Sequence, residues 1–80
     1  MNQAMLIGKL VDVVVLGSEL LHLMVEVEFE NSGIFTVECK GPMAKADFYK
    51  KGQLVAVKAR LKMDDTVHLI AQKVATIDTK

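Results

Sequence analysis

The sequence has no Trp, one Cys, one Pro and only four aromatic side chains in 80 residues. Its formal net charge is zero, ten Lys and Arg against ten Asp and Glu, and its longest unbroken apolar runs are four residues, Val13–Leu16 among them. Each shortage excludes something. Cys39 alone cannot close an intrachain disulfide, and His22 and His68 stand too far apart in the pattern to suggest a structural metal. A run of four falls far short of the roughly 20 apolar residues of a membrane helix. Met1-Asn2-Gln3 is no basic n-region, so no secretory signal is expected, and a lone Cys suits a reducing cytoplasm. There is no Gly-rich phosphate loop and no grouping of nucleophile, base and orienting residue. No catalytic residue, cofactor or metal is therefore expected, and the protein reads as a non-enzyme.

What is present is apolar. Hydrophobic residues make up 51% of the chain, which argues against disorder. One domain, residues 1–80, is the expected count. A domain this small has little interior for so many apolar side chains, so part of its apolar surface is expected to be covered by self-association.

Five Gly and Pro42 divide the chain into strand-sized pieces. The first runs from Ala4 to Leu16, and Gly8 within it suggests a bulge or sharp bend. Its residues 10–16 are uniformly apolar enough for a buried or oligomer-facing strand. Leu23, Val25, Val27 and Phe29 then alternate with polar neighbours, as do Phe35, Val37 and Cys39. Pairing Glu30 with Ile34 keeps both inward sets on one face. It leaves a three-residue loop with Gly33 left-handed, and sets Glu28 opposite Thr36, Glu26 opposite Glu38 and Met24 opposite Lys40. Pro42 and Gly52 bracket a predicted helix of two to three turns, in which Ala44 and Phe48 share a face. Phe48 is expected to plug the barrel end, with Tyr49 at the helix base. Val55, Val57, Ala59 and Leu61 alternate with Lys58, Arg60 and Lys62. Asp64-Asp65 makes a turn, and a last strand runs from Val67 to Ile77 with an irregularity near Gln72-Lys73. The fold class is all-β: a five-stranded Greek-key OB-fold barrel with one short helix between strands 3 and 4, closed because short strands otherwise expose their edges.

Several stretches add to this reading. Asn2 with Leu6-Ile7-Gly8-Lys9-Leu10 resembles the opening of bacterial single-stranded DNA-binding proteins. Phe48-Tyr49-Lys50-Lys51-Gly52-Gln53-Leu54-Val55 is similar to their helix end and fourth-strand start, and Val55–Leu61 to that strand. Leu69-Ile70-Ala71-Gln72-Lys73-Val74 is similar to their closing pattern. The order is kept over nearly the whole chain. The trimmed loops, the ending Ile77-Asp78-Thr79-Lys80 without an acidic partner-binding tail, and the lack of Trp resemble primosomal replication proteins of the same superfamily as much. Ile34 and Lys40 fall where the family often has stacking aromatics. The resemblance implies single-stranded DNA as partner, a homodimer or homotetramer meeting through first strands, and a place in replication, repair or replication restart.

The charges are segregated. Residues 10–39 hold six acids and no Lys or Arg, and residues 40–62 hold seven bases and one acid. A neutral chain can thus carry a basic surface, and a phosphate backbone responds to local potential. Lys58, Arg60 and Lys62 share one strand face, with Lys40 a candidate to join them. These four are the expected phosphate contacts, Ile34 and Thr36 the residues under bases, and Lys9 a helper at the family's basic position. RNA is the alternative strand. The competing reading is an OB-fold protein–protein adaptor of the replication machinery with weak or no DNA affinity, docking its acidic hairpin on a basic partner.

Overall fold

A computed structural model describes residues 2–28 and 33–77. Five strands follow in order: β1 (Gln3–Gly17), β2 (Leu20–Val27), β3 (Gly33–Lys40), β4 (Leu54–Met63) and β5 (Val67–Ile77). They close into a barrel in the order β1-β2-β3-β5-β4. All neighbours are antiparallel except β3 and β5, which run parallel over Val37–Leu69 and Glu38–Ile70. Closure removes the free edges that strands this short would otherwise offer.

One strand serves two neighbours. The first part of β1 pairs with β4, from Gln3 opposite Arg60 to Lys9 opposite Leu54. The second part pairs with β2, from Lys9 opposite Glu26 to Gly17 opposite Leu20. Gly8 sits at the changeover, as its interruption of the apolar pattern suggested. A Cβ there would stand 2.3 Å from the Glu26 carbonyl oxygen, so no other residue lets the two backbones approach this closely. A register shift between Leu10 and Asp12 completes the bend. Residues 10–16 divide accordingly: Leu10 is fully buried, Val11–Val13 are half-buried, and Val14, Val15 and Leu16 are exposed.

Most inward residues of β2, β3 and β4 are those the alternation picks out, but Phe35, expected on the core side of β3, is 42% exposed. Leu23, Val25, Val37, Cys39, Val55 and Val57 have no exposed surface. The β2–β3 register differs from expectation. Glu26 faces Ile34, Met24 faces Thr36, His22 faces Glu38 and Leu20 faces Lys40. Both registers keep the inward faces in phase, but the expected one set Glu26 against Glu38, and like charges directly opposite are unfavourable. The last described pair is Val27–Gly33, and Gly33 belongs to β3 without a positive φ. The expected positions of Phe29 and Glu30 lie outside the described residues.

The predicted helix is replaced by two single 3-10 turns, Gly41–Met43 and Ala46–Phe48, separated by extended Lys45. Ala44 and Tyr49 are both buried. Five residues apart on an α-helix they would point roughly 140° from each other, so the chain must break to bury both. This reverses the expected roles of the two rings. Tyr49 plugs the barrel and donates its hydroxyl to the Met43 carbonyl at 2.7 Å, while Phe48 is 57% exposed. Gly52 takes the left-handed conformation, φ 89°, expected of a stop. The irregularity expected near Gln72-Lys73 is a register shift that passes from Ala59–Ala71 to Lys58–Lys73.

Candidate nucleic-acid interface

Period-two alternation along β4 buries Val57 and Ala59 and sends Lys58, Arg60 and Lys62 outward, all exposed. Among the described residues, none of the three has an ion-pair partner. Across the ladder to β5, Lys62 faces His68, Arg60 faces Ile70 and Lys58 faces Lys73. Across to β1, Arg60 faces Gln3 and Lys58 faces Met5.

The strand β5 joins this row of bases to β3. Ile70 lies opposite Arg60 on one side and Glu38 on the other. The same parallel register carried two residues back sets Thr36 beside His68. Two cross-strand rows therefore lie on the barrel's outer side: Arg60, Ile70, Glu38, His22, in which Ile70 is itself buried, and Lys62, His68, Thr36, Met24. With strands about 4.8 Å apart, the β3 and β4 side chains of one row stand roughly 10 Å apart. Lys62, Arg60 and Thr36 are thus on one continuous face. Ile34, 55% exposed, continues it along β3 opposite Glu26.

Lys9 and Lys40 stand apart. Lys40 is exposed at the far end of β3, opposite Leu20. Lys9 borders a hollow of about 270 Å³ at the β1 bend, shared with Ile7, Leu54, Glu26 and Glu28. Three features escaped sequence reasoning. The shift in β5 turns Lys73 outward beside Lys58, where both rim a hollow of about 360 Å³ over Met5, Ala56 and Ala75. Phe48 is an exposed ring with the Lys45 ammonium 6.0 Å from its centroid. Glu38 draws both histidines: His22 Nε2 is 3.9 Å from one of its carboxylate oxygens and His68 Nδ1 is 3.9 Å from the other. The correct β2–β3 register would have been the signal for that last contact. His68 also reaches the Asp64 carboxylate at 3.1 Å. The Asp64 carboxyl is held below its ordinary range, chiefly by the Thr66 backbone N–H and further by His68. Among the described residues, no group of His, Cys, Asp and Glu is arranged to hold a metal ion. Burial pushes the Cys39 thiol up to about 11, so it is inert as a nucleophile near neutral pH.

No family model and no curated protein matches the sequence. A solved structure does match: the second single-stranded DNA-binding protein (SSBb) from Mycobacterium smegmatis, with a TM-score of 0.73 over 94% of this chain and 87% of that one, at 22% identity. The chain has the fold of a single-stranded DNA-binding protein. That fold is the five-stranded OB barrel expected from the strand count. OB-folds bind oligonucleotides on the face of strands 2 and 3 and on the loops beside it. Here that face carries Met24, Thr36 and Ile34, and β5 connects it to the bases of β4. The turn between β4 and β5 is short, Asp64–Thr66. Among the described residues, no helix is long and apolar enough to cross a membrane.

Proposed function

We propose that this protein is a non-catalytic single-stranded DNA-binding module, one OB-fold domain that acts in DNA replication, repair or replication restart in the cytoplasm. The observation that carries the reading is the row Lys58, Arg60 and Lys62, exposed and without ion-pair partners among the described residues, on a face continuous with Thr36 and Ile34. The bases track phosphates, and Ile34, Thr36 and Met24 offer apolar contact beneath nucleobases. Lys73 joins Lys58 as a further phosphate contact. Lys40 and Lys9, which stand apart from this row, serve as separate phosphate contacts. Stacking, worth roughly 1–3 kcal/mol per base where aromatics supply it, is largely missing from this face, so affinity rests on charge and depends steeply on salt. Exposed Val14, Val15 and Leu16 near the end of β1, with Met5 and Ile7 at its start, support self-association through β1 into a homodimer or homotetramer.

The adaptor reading draws on a different place. Glu26 and Glu28 flank the hollow at the β1 bend and suit a basic partner surface. Anisotropy of labelled oligo-dT, titrated at several salt concentrations beside a duplex control, separates the two. Preference for the single strand with a log–log salt slope of about −2 to −3 supports three to four neutralised phosphates. No binding at low salt and tens of micromolar protein overturns the proposal and leaves the adaptor.

A further inference from the structure

A carboxylate in the middle of a phosphate-binding face is a liability. Glu38 occupies that place: it stands between Thr36 and Lys40 on β3 and is separated from Arg60 by Ile70 alone. Its side chain is 23% exposed, so its charge is not lost to bulk water. Both histidines of the chain lean on it from opposite sides, His22 from β2 and His68 from β5, each at 3.9 Å from a different carboxylate oxygen. Their side chains are 31% and 40% exposed, within reach of a bound strand.

Resting on the single-stranded DNA reading, we infer that His22 and His68 are contact residues of this face and that binding is coupled to proton uptake by them. With both imidazoles neutral, the cluster carries the two negative charges of Glu38 and Asp64 and opposes phosphate. With both protonated, it is neutral overall and no longer opposes a strand held by Arg60 and Lys62. Imidazole is the one side chain whose ordinary titration falls near neutral pH. A phosphate close to the row favours the charged form, and linkage requires that what binding does to protonation, protonation does to binding.

The charged surroundings are few. His22 faces Glu38 on β3 and uncharged Val14 on β1. His68 faces Lys62 on β4, Glu38 on β3, and Asp64 and Thr66 from the turn at 3.1 and 3.2 Å. Asp12, further along β1, is occupied by Lys51 at 3.5 Å. Carboxylates thus outnumber cations around His68, and a bound phosphate would add a further negative charge beside Glu38 and Asp64.

The test is oligo-dT affinity at fixed salt from pH 7.5 to 5.5, since thymine does not titrate there. Thermal melts at each pH confirm that the protein stays folded. Wild type is expected to bind about tenfold tighter at pH 5.5, an average uptake of about half a proton per complex. His22→Gln with His68→Gln is expected to reduce that change to under twofold. Glu38→Gln is expected to tighten binding at pH 7.5 by threefold or more. Calorimetric titration in two buffers of different ionisation enthalpy reads the proton uptake directly. Flat affinity in wild type, or an equal pH dependence in the double variant, overturns the inference while leaving the binding function standing. Absence of oligo-dT binding at every pH overturns the binding function itself.

Discussion

Replacing Gly8 by Ala should be among the most damaging single-methyl changes in this chain. The added Cβ would lie 2.3 Å from the Glu26 carbonyl oxygen, 3.0 Å from its carbon and 3.0 Å from a Val25 methyl. Two of these three atoms are backbone and cannot rotate away. Relief requires β1 and β2 to separate by about 1 Å where β1 changes partners, next to Lys9, which pairs with both Glu26 and Leu54. Overpacking alone costs about 1–3 kcal/mol, and the strained ladder adds to it, so about 3 kcal/mol is expected. For a domain of this size that lowers Tm by roughly 12–24 °C. Gly17→Ala is the control. It adds the same methyl on the same strand, where nothing lies within 4 Å and φ is not positive, and should melt at or slightly above the wild-type temperature. Thermal unfolding followed by circular dichroism, with urea titration as a second probe, reads both. A Gly8→Ala protein melting within 3 °C of wild type would refute the close approach on which the barrel closure rests.

Tyr49→Phe keeps the ring but removes the hydroxyl that Met43 accepts from at 2.7 Å, and should lower stability by about 1–2 kcal/mol. Phe48→Ala, on a ring 57% exposed, should leave Tm nearly unchanged in the same melts. Native Cys39 should resist a thiol reagent at pH 7.5 and react only as urea unfolds the chain, because it has no exposed surface. Burial raises its pKa from 9.0 to about 11, so the folded state holds the proton more tightly than the unfolded one. Stability from this group is complete below pH 9 and falls as the pH rises toward about 11, by about 3 kcal/mol. Cys39→Val should show a smaller alkaline loss than wild type in pH-dependent melts.

Strand phase is legible in this sequence because alternation reports it directly, and Val25, Val37 and Val57 are as buried as their pattern requires. Register is not, because phase fixes only parity. The expected and observed β2–β3 registers share one parity and both bury Val25, Val37 and Cys39, but they differ on every outward pair, and Phe35 is exposed where the alternation turned it inward. The choice falls to cross-strand charges and to the connecting loop, which local pattern does not weigh. That single difference hid the approach of His22 to Glu38. The reversal of Phe48 and Tyr49 has a similar root. Helical spacing links Ala44 with Phe48, but the barrel end has room for a ring placed where Tyr49 arrives after a break at Lys45. The row of Lys58, Arg60 and Lys62 was readable because all three lie on one regular strand. Its continuity with Thr36 depends on the parallel β3–β5 contact, a long-range pairing with no local signature.

The measurement that tests the central claim most directly is the salt dependence of oligo-dT binding by wild type and by the Lys58→Ala, Arg60→Ala, Lys62→Ala triple variant. Three neutralised phosphates predict that the log–log slope weakens by about 2 in the triple variant, while Lys45→Ala with Lys50→Ala leaves it unchanged. An unaltered slope in the triple variant would contradict the account, because the strand would then be held by some other surface.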